Sequence, residues 1–314
     1  MFLNFIRSFY SKVFIGIDLD LDTCYINIIR VKNNRIKQDI KTETKLVNQT
    51  ISMETLKLID FYQRKYPFTY IGMMSKTPNQ GAIPTANPQE FLNYEINPKQ
   101  INFMSFHNTW SAYIAKEDCR KLKNQISEIG PIDCLFSPFI SIFMHAQQKK
   151  KVTLYAIQEK NSLSIAICDN QCVFYGKTFS LQSATQASSN QETLSSLDRL
   201  LDTLENGIEN LSVPDTIVEN ELDMQEEKKK IDDLNDFMRA TFVTAILEKT
   251  IQEYYANTQS SFIDEIVIFD TYGITPDSLK YITETLMIDI KVHPFSIASE
   301  ITKLILKEYR KGTL

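Results

Sequence analysis

Residues 13–31 read VFIGIDLDLDTCYINIIRV, and their pattern predicts how the N-terminal half begins. Its first part, 13–19, is a continuous apolar run, which is typical of a strand buried on both faces. The part at 23–31 is rich in Ile, Tyr and Val, and a polar Lys-Asn-Asn turn separates it from a third run at 35–40. The pattern therefore predicts three strands joined by tight turns.

The same opening recurs in the second half of the chain. After three lysines at 149–151, the runs at 152–158, 163–168 and 172–179 predict three more strands in quick succession. Alternating patterns follow each triplet: helices are predicted at 53–62, 116–129, 138–148, 235–256, 276–286 and 296–308, and strands at 68–74, 110–115, 132–136, 262–269 and 289–292. The stretch 76–109, with four prolines, predicts an irregular connection.

This repeated order predicts an α/β protein of two similar halves, the plan of the duplicated, two-lobed ATPases of the actin superfamily, which share the ribonuclease H-like fold. We expect residues 1–150 to form the first half, with an inserted α/β subdomain at about 76–136, and residues 151–314 to form the second half. An insertion at about 181–236 carries 14 acidic and 4 basic residues. Apolar residues at helical spacing predict one amphipathic helix within it, at 197–211. An acidic docking arm and a solvated surface segment are both open interpretations.

The composition of the chain excludes several classes of protein. A chain of 314 residues with 43% hydrophobic residues can bury sizeable cores, which excludes wholesale disorder. The net charge of −5 argues against nucleic acid as the main partner. No apolar run approaches the roughly 20 residues of a membrane span. Five scattered cysteines and a leader at 1–14 without a secretory pattern favour the cytoplasm. The leader could also form a short amphipathic helix on a membrane surface.

Four stretches resemble one protein family. They are the opening at 14–34, WSAYIAKEDCRKLKNQISEIGPIDCLFSPFISIFMHA at 110–146, YAIQEKNSLSIAICDNQCVFYGKTFSL at 155–181 and DEIVIFDTYGITPDSLKYITETLMIDIKVHPF at 264–295. In this order they resemble the PilM-like assembly proteins of type IV pili, which are similar to FtsA and have the actin fold. The matched stretches cover about 120 residues of this chain.

The resemblance implies three loops that would hold ATP, and each departs from the family pattern. In the first, Asp18 is kept, but Asp20 stands in place of the loop glycine and Tyr25 in place of the lysine, and Asp22 adds a further carboxylate. The second loop loses its Asp and Gly within 158–161, and the third keeps one glycine. Phosphate loops need glycines so that backbone N–H groups can approach the oxygens. The residues of this degenerate nucleotide pocket are Asp18, Asp20, Asp22, Thr23 and Gly273.

We therefore expect a pseudo-ATPase with no catalytic residues, no metal and no ATP·Mg cofactor. A divalent cation at the three clustered aspartates remains the alternative to ordinary turn-forming acids. The three histidines, His107, His145 and His293, are far apart in sequence and belong to no catalytic motif. An active ATPase or a sugar-kinase-like phosphotransferase of the same fold is the alternative function.

The resemblance implies a cytoplasmic scaffold peripheral to the inner membrane. Its partner would be the peptide tail of a bitopic inner-membrane protein of a type IV pilus, a type II secretion system or a DNA-uptake machine; a motor ATPase, a second copy of the chain and the membrane surface are further open partners. We expect the peptide in a cleft beside the inserted subdomain, against Tyr113, Phe136 and Phe139. Core packing is the alternative role of these aromatic residues.

Overall fold

The computed structural model describes residues 10–47, 50–181, 221–257 and 262–312, and only the backbone of 221–235. The predicted helix at 197–211 and residues 1–9 of the leader lie outside the described residues.

The first half opens with an antiparallel meander, as the sequence predicts. Its strands are β1 (Lys12–Asp20), β2 (Thr23–Lys32) and β3 (Arg35–Lys45). Asn33 and Asn34 turn the chain with φ of 53° and 57°, which suits asparagine in a tight hairpin. The half continues with α1 (Met53–Lys65), β4 (Phe68–Met74), β8 (Cys134–Phe136) and α3 (Pro138–Ala146), with the inserted elements between β4 and β8. The sheet order is β3-β2-β1-β4-β8, with β1, β4 and β8 parallel.

The second half repeats this plan. Its elements are β9 (Thr153–Gln158), β10 (Ser162–Cys168), β11 (Val173–Ser180), α4 (Glu221–Asn257), β12 (Glu265–Asp270), α5 (Pro276–Leu286), β13 (Ile290–Pro294) and α6 (Ile297–Lys311). Its strands follow the order β13-β12-β9-β10-β11, which is the order of the first sheet read from the other edge. Two such halves make the two-lobed actin-like fold.

The inserted segment holds more regular structure than its sequence predicts. It contains β5 (Gln80–Ile83), a 3₁₀ turn (Pro88–Tyr94), β6 (Ile101–Phe106), β7 (Trp110–Ala115) and α2 (Lys116–Gln125). The prediction of an irregular connection at 76–109 is therefore wrong. The prolines there occupy turns between short strands, which have too few residues to show alternation.

These inserted strands join the sheet of the other half. β5 pairs with β11, and β7 and β6 continue the sheet beyond it. Glycine makes the pairing possible, because a Cβ on Gly81 would lie 2.7 Å from the carbonyl oxygen of Gly176. The insertion thus belongs to the chain of the first half and to the sheet of the second half.

The last helix of each half packs between the lobes. α3 lies against β9 and β10 of the second sheet, while α6 lies against β1 and β4 of the first. A Cβ on Gly16 would lie 2.2 Å from the carbonyl oxygen of Ala298, so glycine lets α6 approach β1.

Helix α4 begins at Glu221, well before the predicted start at 235. The sequence did not indicate its first part, because the charged residues that precede 235 show no apolar period. Within the described chain, no helix combines the length and hydropathy needed to cross a bilayer.

Candidate functional site

Three charged side chains meet where strands of the two lobes end. Asp18 lies near the end of β1, Lys76 follows β4, and Glu159 follows β9. The Nζ of Lys76 lies 2.6 Å from Oδ1 of Asp18 and also binds the carboxylate of Glu159. The same Nζ donates to the carbonyl oxygen of Leu19 at 2.7 Å. One lysine therefore links the first lobe to the second.

Burial sets the protonation of this ion cluster, defined as Asp18, Lys76 and Glu159. Burial raises the pKa of Glu159 to about 8, against the opposing charge of Lys76 and with the charges of Asp18 and Asp20 adding to the rise. Burial likewise raises the pKa of Asp18 despite Lys76. Burial alone would lower the pKa of Lys76, but the negative charges of Asp18 and Glu159 outweigh this effect and raise it. The lysine stays charged, and the excess of acids favours one bound proton.

Asp20 joins the turns of the two opening meanders. Its Oδ2 accepts the backbone N–H of Lys160 at 3.1 Å, and its Oδ1 accepts that of Asn161 at 3.3 Å. These N–H groups belong to the turn between β9 and β10, the second phosphate loop of the resemblance. A carboxylate of the first lobe thus occupies donors that a phosphate would need. The Asp20 side chain is buried, so this contact replaces solvent as well.

A second carboxylate fills the third loop. Oδ1 of Asp270 accepts the N–H groups of Tyr272 and Gly273 at 3.1 and 3.0 Å, and Oδ2 accepts that of Ile274 at 2.8 Å. Gly273 turns the chain with φ of 88°. The hydroxyl of Tyr272 accepts from Nε2 of Gln158 at 2.6 Å, which ties this loop to the end of β9.

The predicted pocket residues separate into two groups. Asp18 and Asp20 lie together between the lobes, whereas Asp22 and Thr23 lie outside the cluster, at the β1–β2 turn. Thr23 donates to the Asp22 carboxylate at 3.0 Å in an exposed position. In the described part of the chain, no group of three or more His, Cys, Asp or Glu side chains has an arrangement that could hold a metal ion.

Lys76 is the residue of this site that sequence reasoning missed. Its signal was a lysine two residues after the buried strand at 68–74, and therefore at the edge where parallel strands end. Sequence reasoning also missed Asp270, whose signal was its position as the last residue of a fully buried strand. Charged residues at these edges are common, and only the pairing of strands shows which of them meet.

The predicted partner-binding residues lie mainly in the core. Phe139 is 0% and Phe136 8% exposed, and both belong to the apolar cluster between the lobes. Tyr113 is half-buried on β7, opposite Phe103 of β6. The assignment stays a prediction, but neither phenylalanine presents a surface to a partner in this structure. Exposed apolar side chains lie instead on the outer part of the insertion: Leu92, Tyr94, Phe103 and Met104.

Two family models match the chain. Residues 9–143 match one described as "Domain of unknown function (DUF8569)", and residues 154–310 match one described as "Domain of unknown function (DUF8341)". No curated protein matches.

Several solved structures are similar. A Bacteroides thetaiotaomicron protein "with actin-like ATPase fold and unknown function" is 12% identical, with a TM-score of 0.46 and coverage of 96% of this chain and 98% of that one. A chain of a PilM–PilN type IV pilus biogenesis complex is 13% identical, with a TM-score of 0.49 and coverage of 89% of this chain and 87% of that one. The ethanolamine utilization protein EutJ of Carboxydothermus hydrogenoformans is 10% identical, with a TM-score of 0.43 and coverage of 96% of each chain.

Proposed function

The chain belongs to the family described as "Domain of unknown function (DUF8341)". We propose that it is a non-catalytic actin-like scaffold that holds a peptide of a membrane-anchored assembly partner. The single observation that supports the loss of catalysis is the contact of Asp20 with the backbone N–H groups of Lys160 and Asn161. This carboxylate takes the donors that would bind phosphate.

Electrostatic repulsion also disfavours the binding of ATP at this site. A triphosphate placed between the lobes would meet Asp18, Asp20 and Glu159 at close range. Each unscreened pair of like charges near 4 Å costs about 1–4 kcal/mol at an effective dielectric between water and a protein surface. Lys76 already pairs with two of these acids, Asp18 and Glu159. ATP binding would have to break these ion pairs as well as overcome the repulsion.

Calorimetric titration with Mg·ATP and a phosphate-release assay test this proposal. We expect no saturable binding below millimolar concentration and no turnover. Binding at micromolar concentration with turnover that Asp18→Ala abolishes would identify the protein as an active ATPase or phosphotransferase instead. Asp22→Ala is the matched control, because Asp22 lies on the exposed side of the same turn.

The partner follows from the resemblance to PilM-like proteins, which implies an extended cytoplasmic tail of a bitopic inner-membrane protein. We place the tail at β6, the outer strand of the extended second sheet, which among the described strands pairs only with β7. An outer strand offers main-chain hydrogen bonds to an extended peptide. Phe103 and Met104 of this strand are 41% and 61% exposed and would supply apolar anchors. The protein would then lie at the cytoplasmic face of the membrane, in a pilus, secretion or DNA-uptake machine.

Recovery of inner-membrane proteins on the immobilised chain, identified by mass spectrometry, tests the partner. We expect a bitopic protein that Met104→Asp loses and that Met287→Asp retains, since Met287 is equally apolar and 89% exposed elsewhere on the molecule. Recovery unchanged by Met104→Asp would refute the β6 location. Failure of the wild-type chain to recover any bitopic protein would refute the scaffold role itself.

A further inference from the structure

A groove of about 650 Å³ lies beside the interlobe helices, and none of the nucleotide-loop residues lines it. Its floor is the face of the second sheet that carries Tyr155, Val267 and Phe269. Val267 lies opposite Tyr155 on the parallel pair β12–β9, and His293 opposite Phe269 on β13. This volume lies within the range of about 300–1,000 Å³ that is typical of small-molecule sites.

The floor is aromatic. The rings of Phe269 and Phe295 lie 4.9 Å apart between centroids, and the imidazole of His145 lies 4.9 Å from the Phe269 ring. Phe295 and His145 are partly exposed at the groove, whereas Phe269 is buried beneath them. A flat apolar body could therefore pack on these rings without displacing the core.

The rim is basic. Among the described residues that line the groove, three are lysines, Lys41, Lys149 and Lys303, and one is a glutamate, Glu300. Glu300 is already compensated, because His145 and Lys303 each lie 3.3 Å from its carboxylate. Burial would raise the pKa of Glu300, but these two neighbours hold it below its usual range. Within the described chain, Lys41 forms no ion pair, so its charge remains available to a ligand.

A buried hydroxyl also points to a ligand. Tyr155 lines the groove, is 2% exposed, and its hydroxyl has no hydrogen-bond partner among the described residues. A buried hydroxyl without a hydrogen-bond partner destabilises the protein unless an acceptor satisfies it. A ligand with an oxygen acceptor near the floor would supply that partner.

We propose that this groove binds a small organic anion with a flat apolar body, held by the rings of its floor and by Lys41 and Lys303 at its rim. This site is independent of the scaffold proposal, since it includes neither β6 nor the ion cluster. The anion would lie between β3 of the first lobe and α6, so that its binding would join the lobes at a second place.

Fluorescence titration with 1-anilinonaphthalene-8-sulfonate, an aromatic anion, tests the proposal. We expect saturable binding with one site per chain, weakened at least threefold by Lys41→Gln, at least threefold by Lys303→Gln and about tenfold by both. Lys280→Gln is the matched control, because Lys280 is an exposed lysine on α5, away from the groove. Melting temperatures are measured for every variant, and Lys41→Gln should leave the fold unchanged since it breaks no ion pair.

Two further measurements distinguish this site from a nonspecific apolar surface. N-phenyl-1-naphthylamine, which lacks the sulfonate, should bind at least tenfold more weakly than the sulfonate. Tyr155→Phe should weaken binding of the anion about threefold, with a melting temperature no lower than that of the wild type, since it removes an unpaired hydroxyl. Equal affinity for the neutral probe, or equal binding of the sulfonate by the wild type and both rim-lysine variants, would overturn the proposal.

Discussion

Lys76 is the residue on which the contact between the lobes most depends. It forms ion pairs with both Asp18 and Glu159, which are buried with relative exposures of 5% and 2%. Removal of one partner from a buried ion pair leaves a charge without compensation, and this costs more than the pair itself contributes.

We predict that Lys76→Met lowers the free energy of unfolding by about 3–5 kcal/mol, because two buried acids lose their cation. Urea unfolding monitored by fluorescence measures the change. Lys121→Met is the control, since Lys121 pairs with Glu117 in an exposed position where such pairs contribute at most about 1 kcal/mol. Equal losses in the two variants would show that the cluster does not stabilise the fold.

The raised pKa of Glu159 predicts how stability depends on pH. Its carboxyl has a pKa of about 8 in the folded protein against 4.5 without that environment, so the folded state binds the proton more tightly. This contribution is present in full below pH 4.5 and is lost as the pH rises toward 8. We predict that Glu159→Gln, which stays neutral, flattens the decline of melting temperature between these pH values. A wild-type profile that rises over the same range would contradict the assignment.

At the scale of elements, the turns of the two meanders are joined side chain to backbone. Asp20 of the β1–β2 hairpin accepts two N–H groups of the β9–β10 turn. Asp270 performs the equivalent task within the loop after β12. Both turns are therefore held by carboxylates of the chain itself, and an added anion would have to displace them.

We predict that Asp20→Ala lowers the free energy of unfolding by about 1–3 kcal/mol, because it leaves buried N–H groups without an acceptor. Hydrogen exchange of Lys160 and Asn161 should accelerate in this variant. Asp22→Ala, two residues further along the chain and exposed, should change stability by less than about 0.5 kcal/mol. Unaltered exchange in Asp20→Ala would mean that the two hairpins do not depend on this contact.

At the scale of the whole molecule, the halves exchange helices. α6 of the second half buries Ile301 and Ile305 against the first sheet, and α3 of the first half buries Phe139 and Ile142 against the second. The inserted strands extend the second sheet as well. Each half therefore lacks part of its own core when it is alone.

We predict that fragments 1–150 and 151–314 do not fold separately, because each would expose the apolar surface that the other covers. Circular dichroism and size-exclusion chromatography of each fragment measure this. Co-expression should restore a soluble complex of both. Cooperative thermal unfolding of fragment 151–314 alone would show instead that the lobes are independent domains.

The duplicated meanders and the α/β alternation could be predicted from the sequence alone, because buried strands and amphipathic helices show their apolar patterns in consecutive residues such as 13–19 and 152–158. It also placed Asp20 and Tyr25 where the PilM-like proteins that it resembles have a loop glycine and a lysine. The sequence could not show that β5 pairs with β11, because strand pairing depends on residues about 100 positions apart.

Only the tertiary structure brought Lys76 to Asp18 and Glu159, and Asp20 to the turn at 160–161. It also placed Phe136 and Phe139 in the core. Their aromatic spacing is the same for a core as for a groove. Long-range packing decides between the two, because burial depends on which helix covers the side chain and not on the side chain's own neighbours in sequence.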